Sequence, residues 1–184
     1  GFAVGAMERG ATLPRDVAEG DILLGLPSTG VHSNGYSLVR KIVEQSGLSW
    51  DDDCPFGDGP LSRHLLEPTK IYVKPAVAAL KLGKLKALAH ITGGGLTENL
   101  PRALPNGLGA TIDLNSWERL PIFDWLITQS GLEQAEALKT FNCGLGMIAI
   151  VAKEDALAIS AAFGSEGVVA TKIGVVTDQA GVAY

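Results

Sequence analysis

From residue 21 onward, short apolar runs alternate with stretches in which apolar residues recur every three or four positions, predicting strands and helices in turn. "DILLGLP" (21–27) is an apolar run of strand length. "NGYSLVRKIVEQSG" (34–47) then predicts a helix with Leu38, Ile42 and Val43 on one face and Gly47 as its stop. "IYVKPAVAALKLG" (71–83) reads as a second helix, with Pro75 in its first turn and Gly83 at its end. "LKALAHI" (85–91) is a strand, and "TGGG" leads from it into a short helix, "LTENLPRAL". "GATIDL" is a strand, "PIFDWLITQSG" and "LEQAEALKTF" are helices, and "GMIAIVA" is an apolar, β-branched strand. "KEDALAISAAFG" predicts a last helix, with "VVATKIGVV" and "GVAY" as a hairpin over "TDQA".

Two stretches stand outside this rhythm. "LSWDDDCPFGDGPLSR" (48–63) is acidic and rich in Gly and Pro, and reads as a surface excursion. "GFAVGAMERG" (1–10) reads as a buried strand from its first residue, so the chain is expected to begin within a longer protein. With no internal repeat and no low-complexity linker, the pattern describes one α+β domain.

Composition narrows the partners. At 184 residues with 46% hydrophobic and 19% charged positions, the chain can bury a sizeable core as one domain. A formal net charge of −5 without a basic run argues against nucleic acid, while a small anionic ligand stays open because local donors suffice for it. No apolar run reaches membrane-spanning length. Two cysteines, Cys54 and Cys143, fit a reduced, cytoplasmic setting. Three histidines and two cysteines never fall at ligand spacing, so no metal site is expected. The run Asp51, Asp52 and Asp53 reads as solvated.

Chemistry concentrates in the turns. "HITGGGLTENLPR" (90–102) sets Gly93, Gly94 and Gly95 between a strand and a helix, where backbone N–H groups can approach an anion. It is neither a dinucleotide fingerprint nor a P-loop. The alternative is a plain turn before a helix capped by Thr92 or Thr97. Glu98 and Asn99, in the first turn of that helix, would lie near a bound ligand. "STGVHSNG" (28–35) occupies the same kind of strand-to-helix position, with Ser33 or Asn34 as the N-cap and His32 a candidate for proton transfer or ligand contact. Its alternative is likewise a turn that only caps the helix. "FNCGLGMIAIV" (141–151) places Asn142 on the loop before a core strand, with Gly144 and Gly146 marking a close approach by backbone or ligand. Cys143 reads as a small buried hydrophobe rather than a nucleophile. His64 reads as solvated, and His90 as a core or supporting histidine.

Taken together and in order, "STGVHSNGYSLVRKI", "PTKIYVK", "AHITGGGLTENLPRALP" and "TFNCGLGMIAIV" resemble the C-terminal half of the phosphoribosylformylglycinamidine cyclo-ligase (AIR synthetase) family, over residues 1 to about 174. The resemblance implies a three-layer α/β/α domain of α+β class with a mixed sheet. It implies ATP-dependent closure of formylglycinamidine ribonucleotide to aminoimidazole ribonucleotide in purine biosynthesis. ATP and Mg²⁺ would then be held largely by an N-terminal domain not included in this chain, in a cytoplasmic homodimer. The residues expected to meet the phosphorylated substrate are Ser33, Asn34, Thr92, Gly93, Gly94, Gly95, Glu98, Asn99 and Asn142, with His32 as the catalytic candidate. A bulky residue at Gly94 is expected to weaken binding without changing stability, and residues 1–184 alone are expected to be inactive. Sister enzymes sharing the plan are formylglycinamidine ribonucleotide synthetase, selenophosphate synthetase, thiamine monophosphate kinase and a hydrogenase-maturation protein. A non-catalytic binding module is the remaining alternative.

Overall fold

Successive residues of the run at 22–27 enter two different cores. Leu23 packs into one, while Ile22, Leu24 and Leu26 pack into the other. A strand covered on both faces has no position to give to water, which is why its sequence is continuously apolar. The computed structural model describes residues 2, 4–7 and 9–184. Among these, six strands form one sheet: β1 (Ile22–Pro27), β2 (Leu85–His90), β3 (Gly109–Ile112), β4 (Leu145–Val151), β5 (Thr171–Thr177) and β6 (Gly181–Ala183). Their order is β2-β4-β1-β5-β3-β6. Every pairing is antiparallel except β3 with β6, so the sheet is mixed.

The helices are α1 (Tyr36–Ser46), α2 (Leu61–Leu65), α3 (Val73–Lys81), α4 (Gly95–Asn99), α5 (Pro121–Ser130), α6 (Gln134–Thr140) and α7 (Ala156–Ser165). Val39 and Ile42 of α1, Leu61 and Leu65 of α2, Leu96 of α4, Phe123 of α5 and Leu138 of α6 fill the first core. Ala79 of α3 with Ile159 and Phe163 of α7 fill the second. The result is the expected α/β/α sandwich. Three helix ends follow local chemistry directly: α5 opens on Pro121, and α1 and α5 close on Gly47 and Gly131 in left-handed backbone.

Three expectations need correction. Residues 1–10 form no strand among those described: Phe2 and Val4 are fully exposed and Met7 is 71% exposed. Gly1, Ala3 and Glu8 of that stretch lie outside the described residues. An apolar strand needs a neighbour to hydrogen-bond to, and none of the six pairs with this one. The hairpin over 177–180 is also absent. The chain rounds the end of β3 instead, so Gly109 faces Thr177 of β5 on one side and Gly181 of β6 on the other. A Cβ at Gly109 would overlap the Gln179 and Gly181 backbone, so glycine permits this passage. Finally, 48–63 is folded rather than an excursion. Cys54 and Leu61 reach the first core, and Cys54 N–H donates to Gly59 O at 2.8 Å while Leu61 N–H donates to Asp52 O at 2.8 Å.

Register brings the ends that matter together. Pro27 pairs with Leu145, His90 with Met147 and Gly25 with Thr171, so the turns after β1 and β2 and the loop before β4 leave the sheet at one end.

Candidate functional site

Asn142 ties two of these segments together. Its Nδ2 donates to Gly30 O at 2.9 Å and Val31 O at 3.2 Å, while its Oδ1 accepts from Ser28 Oγ and Gly144 N, each at 2.9 Å. The side chain is 3% exposed and its hydrogen-bonding capacity is fully engaged with protein. It sets the shape of the turn after β1.

Asn99 does the same for the glycine turn. Its Nδ2 donates to Gly95 O at 2.8 Å, with Gly93 O and Thr92 O at 3.2 and 3.3 Å. Its Oδ1 accepts from Thr92 Oγ1 at 3.1 Å and from Arg102 Nη1 at 3.3 Å. Gly94 and Gly95 have φ of 97° and 57°, in the left-handed region. A Cβ on Gly95 would overlap the Leu138 carbonyl, and one on Gly94 would lie 2.7 Å from Glu98 Cβ. The expectation that Gly94 can be enlarged at no cost to stability is therefore corrected. Gly93 is different: a Cβ there meets only Asn34 Oδ1, at 3.7 Å. That distance also places the two turns side by side.

Neither helix start is capped as expected. The N-cap of α1 is Gly35 and that of α4 is Gly94, both left-handed and without a side-chain cap, rather than Ser33, Asn34, Thr92 or Thr97. Asn34 faces the glycine turn instead. First-turn N–H groups of α1 have no carbonyl of their own helix to reach, and they follow closely on Asn34, whose Oδ1 lies near Gly93.

A segment outside the predicted residues completes the arrangement. Thr29 Oγ1 donates to Pro68 O at 2.8 Å, Ser33 Oγ and Thr69 Oγ1 share a hydrogen bond at 3.1 Å, and Tyr72 Oη donates to Pro27 O at 2.8 Å. His32 lies between, 4% exposed, with its ring edge-on to Tyr72 at 6.3 Å. Burial, helped by His90 and Lys70, holds its imidazole down at about 4. Gly146 makes room for both rings, because a Cβ there would overlap the Tyr72 hydroxyl and lie 2.6 Å from His32 Cε1. The expectation of backbone or a ligand close to Gly146 is corrected: what approaches it is the pair of side chains Tyr72 and His32. "PTKIYVK" carries no unusual composition, so periodicity alone shows only the helix that follows it.

The other candidates sit as follows. Cys143 is buried and its thiol is pushed up to about 12 by burial, as suits a core residue. His64 is half-buried, with Nε2 3.0 Å from Asp58 O and its ring edge-on to Phe56, so it is packed rather than solvated. His90 is exposed at the end of β2, not in the core. Glu98 is exposed, 3.9 Å from Arg102. Among the described residues no three His, Cys, Asp or Glu are grouped to hold a metal ion, and no helix is long and apolar enough to cross a membrane. A cavity of about 560 Å³ opens beside the first turn, lined by Thr29, Phe56, Asp58, Arg63, Glu67 and Ile122 among others. It shares Thr29 with the turn but none of the predicted ligand residues.

Residues 18–184 match the family described as AIR synthase related protein, C-terminal domain. The chain belongs to that family. Among solved structures, the AIR synthase related domain is similar to thiamine-monophosphate kinase from Stenotrophomonas maltophilia K279a, with TM-score 0.62 and 19% identity over 96% of this chain and 54% of that one. It is similar to E. coli HypE, a hydrogenase maturation protein, with TM-score 0.55 and 22% identity over 91% and 46%. It is also similar to T. maritima PurL complexed with AMPPCP, with TM-score 0.52 and 14% identity over 92% and 24%. These likenesses establish the shared fold. The chain spans about half the length of the first two, and about a quarter of the third.

Proposed function

We propose that this AIR synthase related domain is the C-terminal half of a phosphoribosylformylglycinamidine cyclo-ligase, which closes formylglycinamidine ribonucleotide to aminoimidazole ribonucleotide with ATP as co-substrate. One observation carries the reading. The four stretches that resemble this enzyme, far apart in sequence, adjoin at one end of the sheet through Asn142 to Gly30, Ser33 to Thr69 and Asn34 beside Gly93. Such convergence fits a substrate cleft better than four unrelated turns would.

In this reading the oxygen of the formyl group is phosphorylated, an internal nitrogen attacks the same carbon, and phosphate departs. Activation is needed because an amide oxygen is a poor leaving group and its phosphate ester a good one. The domain contributes position and charge neutralisation. Main-chain donors at Gly93, Gly94 and the start of α1 face the anionic groups, and Ser33, Asn34 and Thr92 flank them. Asn99 and Asn142 hold the turns rather than the ligand. The described residues offer no grouped carboxylates for Mg²⁺, so no step is assigned to the metal on this chain. ATP and its metal are assigned to the remainder of a longer, homodimeric, cytoplasmic protein.

The test restores the upstream coding region and follows ADP and aminoimidazole ribonucleotide produced from formylglycinamidine ribonucleotide and ATP. Equal amounts of both products are expected from the long protein and none from residues 1–184. A folded long protein that forms neither would overturn the proposal and direct the assay to substrates of the sister enzymes, thiamine monophosphate first.

A further inference from the structure

His32 occupies left-handed backbone, with φ of 60°, yet is buried. Its Nε2 accepts two main-chain N–H groups, from Thr29 at 3.1 Å and from Lys70 at 3.4 Å. A peptide N–H can only donate, so Nε2 must present its lone pair to both. A neutral imidazole carries one proton, which therefore resides on Nδ1. Protonating Nε2 as well would aim its hydrogen at two donors. Nδ1 is itself buried and has no hydrogen-bond partner among the described groups.

A general base needs a lone pair facing the proton it removes, and a general acid must present its proton to the substrate. In His32 the only lone pair is engaged by backbone, and the proton sits on an atom closed off from solvent. We infer that His32 is a positioning residue: a neutral imidazole fixed as the Nδ1–H tautomer, pinning the 68–72 segment to the turn after β1 and transferring no proton. The part about proton transfer rests on the cyclo-ligase reading; the tautomer does not.

What the pin positions is visible in the neighbouring ties. Thr29 to Pro68, Ser33 to Thr69 and Tyr72 to Pro27 join the same two segments, and His32 takes one N–H from each. Releasing the ring would leave the Thr29 and Lys70 amides without their acceptor, on either side of the Ser33–Thr69 tie. The ionisable groups around the ring are Lys70, Tyr72 and His90; the first and last disfavour a second proton on it, and the Tyr72 hydroxyl is committed to Pro27 O.

Two experiments decide. Long-range ¹H–¹⁵N correlation spectra of histidine-labelled protein are expected to show His32 with a protonated Nδ1 and an unprotonated Nε2, unchanged from about pH 6 to about pH 8. An Nε2–H or cationic pattern would overturn the inference whatever the enzyme's activity. In the long protein, His32→Ala is expected to lower kcat/KM for the ribonucleotide by about 10- to 100-fold through misplacement. His32→Gln, which can return an acceptor oxygen near the Nε2 position, is expected to recover most of that loss with the pH profile unmoved. A folded His32→Gln as impaired as His32→Ala with a lost pH limb, or a fully active His32→Ala, would sink the positioning role. Should the wild type prove inactive on this substrate, the cyclo-ligase reading fails while the spectra still decide the tautomer.

Discussion

Asn142 Nδ2 donates to the carbonyl of Gly30 at 2.9 Å across 112 residues of chain. That bond and its three companions close the turn after β1 onto the loop before β4. Asn142→Ala would leave the Ser28 hydroxyl, the Gly144 amide and two carbonyls without this partner, and is expected to cost about 2–4 kcal/mol. Asn142→Asp should cost more, because a carboxylate would face the Gly30 and Val31 oxygens. Urea unfolding of the three proteins checks the order.

The glycine turn separates stability from binding. Gly95→Ala meets the Leu138 carbonyl in left-handed backbone, and should lose more than about 3 kcal/mol. Gly93→Ala should stay within about 1 kcal/mol of wild type, because only Asn34 Oδ1 is near. A larger Gly93→Leu should then weaken ribonucleotide binding by about tenfold or more at similar stability, if the turn faces the phosphorylated group. Calorimetric titration beside thermal unfolding separates the two effects.

Gly146→Ala is the sharpest packing test. Its methyl group would displace Tyr72 and His32 together, and both are buried. The expected loss is about 1–3 kcal/mol. Wild-type stability in this variant would show that the contact is softer than the geometry says.

His32 makes stability depend on pH. Its folded value of about 4 lies below the ordinary 6.5, so between these values the unfolded chain binds more protons than the folded one. Its contribution is complete above pH 6.5 and is lost as pH falls toward about 4, by at most about 3 kcal/mol. Urea midpoints at about pH 7 and about pH 4.5 should fall further for wild type than for His32→Gln.

Much of this was legible in sequence because periodicity reports burial. The apolar run at 21–27 and the 34–47 stripe became β1 and α1; of the predicted helix face Ile42 and Val43 are buried, together with Val39, while Leu38 is only partly covered. Partner choice was not legible. Nothing in "GVAY" distinguishes pairing with β5, its neighbour in sequence, from pairing with β3, which depends on Gly109 letting the chain pass. The acidic run at 51–53 concealed a folded segment, because turn residues announce polarity while Cys54 and Leu61 reach inward. In the candidate site, glycine and asparagine types marked where the turns lie, but not which atoms hold them in shape. Asn99 and Asn142 look alike as ligand donors until their carbonyl partners are known, those of Asn99 within its own turn and those of Asn142 more than a hundred residues away. Thr69 and Tyr72 had no local signal, since their importance comes from lying across the 27–33 turn.

The central position of β1 has a consequence for biosynthesis. Leu24 pairs with Ala149 on one side and Lys172 on the other, so both strand neighbours are made more than about a hundred residues after it. At ordinary translation speeds on the order of ten seconds separate β1 from its partners, and for that time "ILLGL" has no sheet to join. The nascent domain must therefore carry an unpaired, apolar strand until β4 and β5 emerge, and for that interval the segment is open to mispairing with other chains.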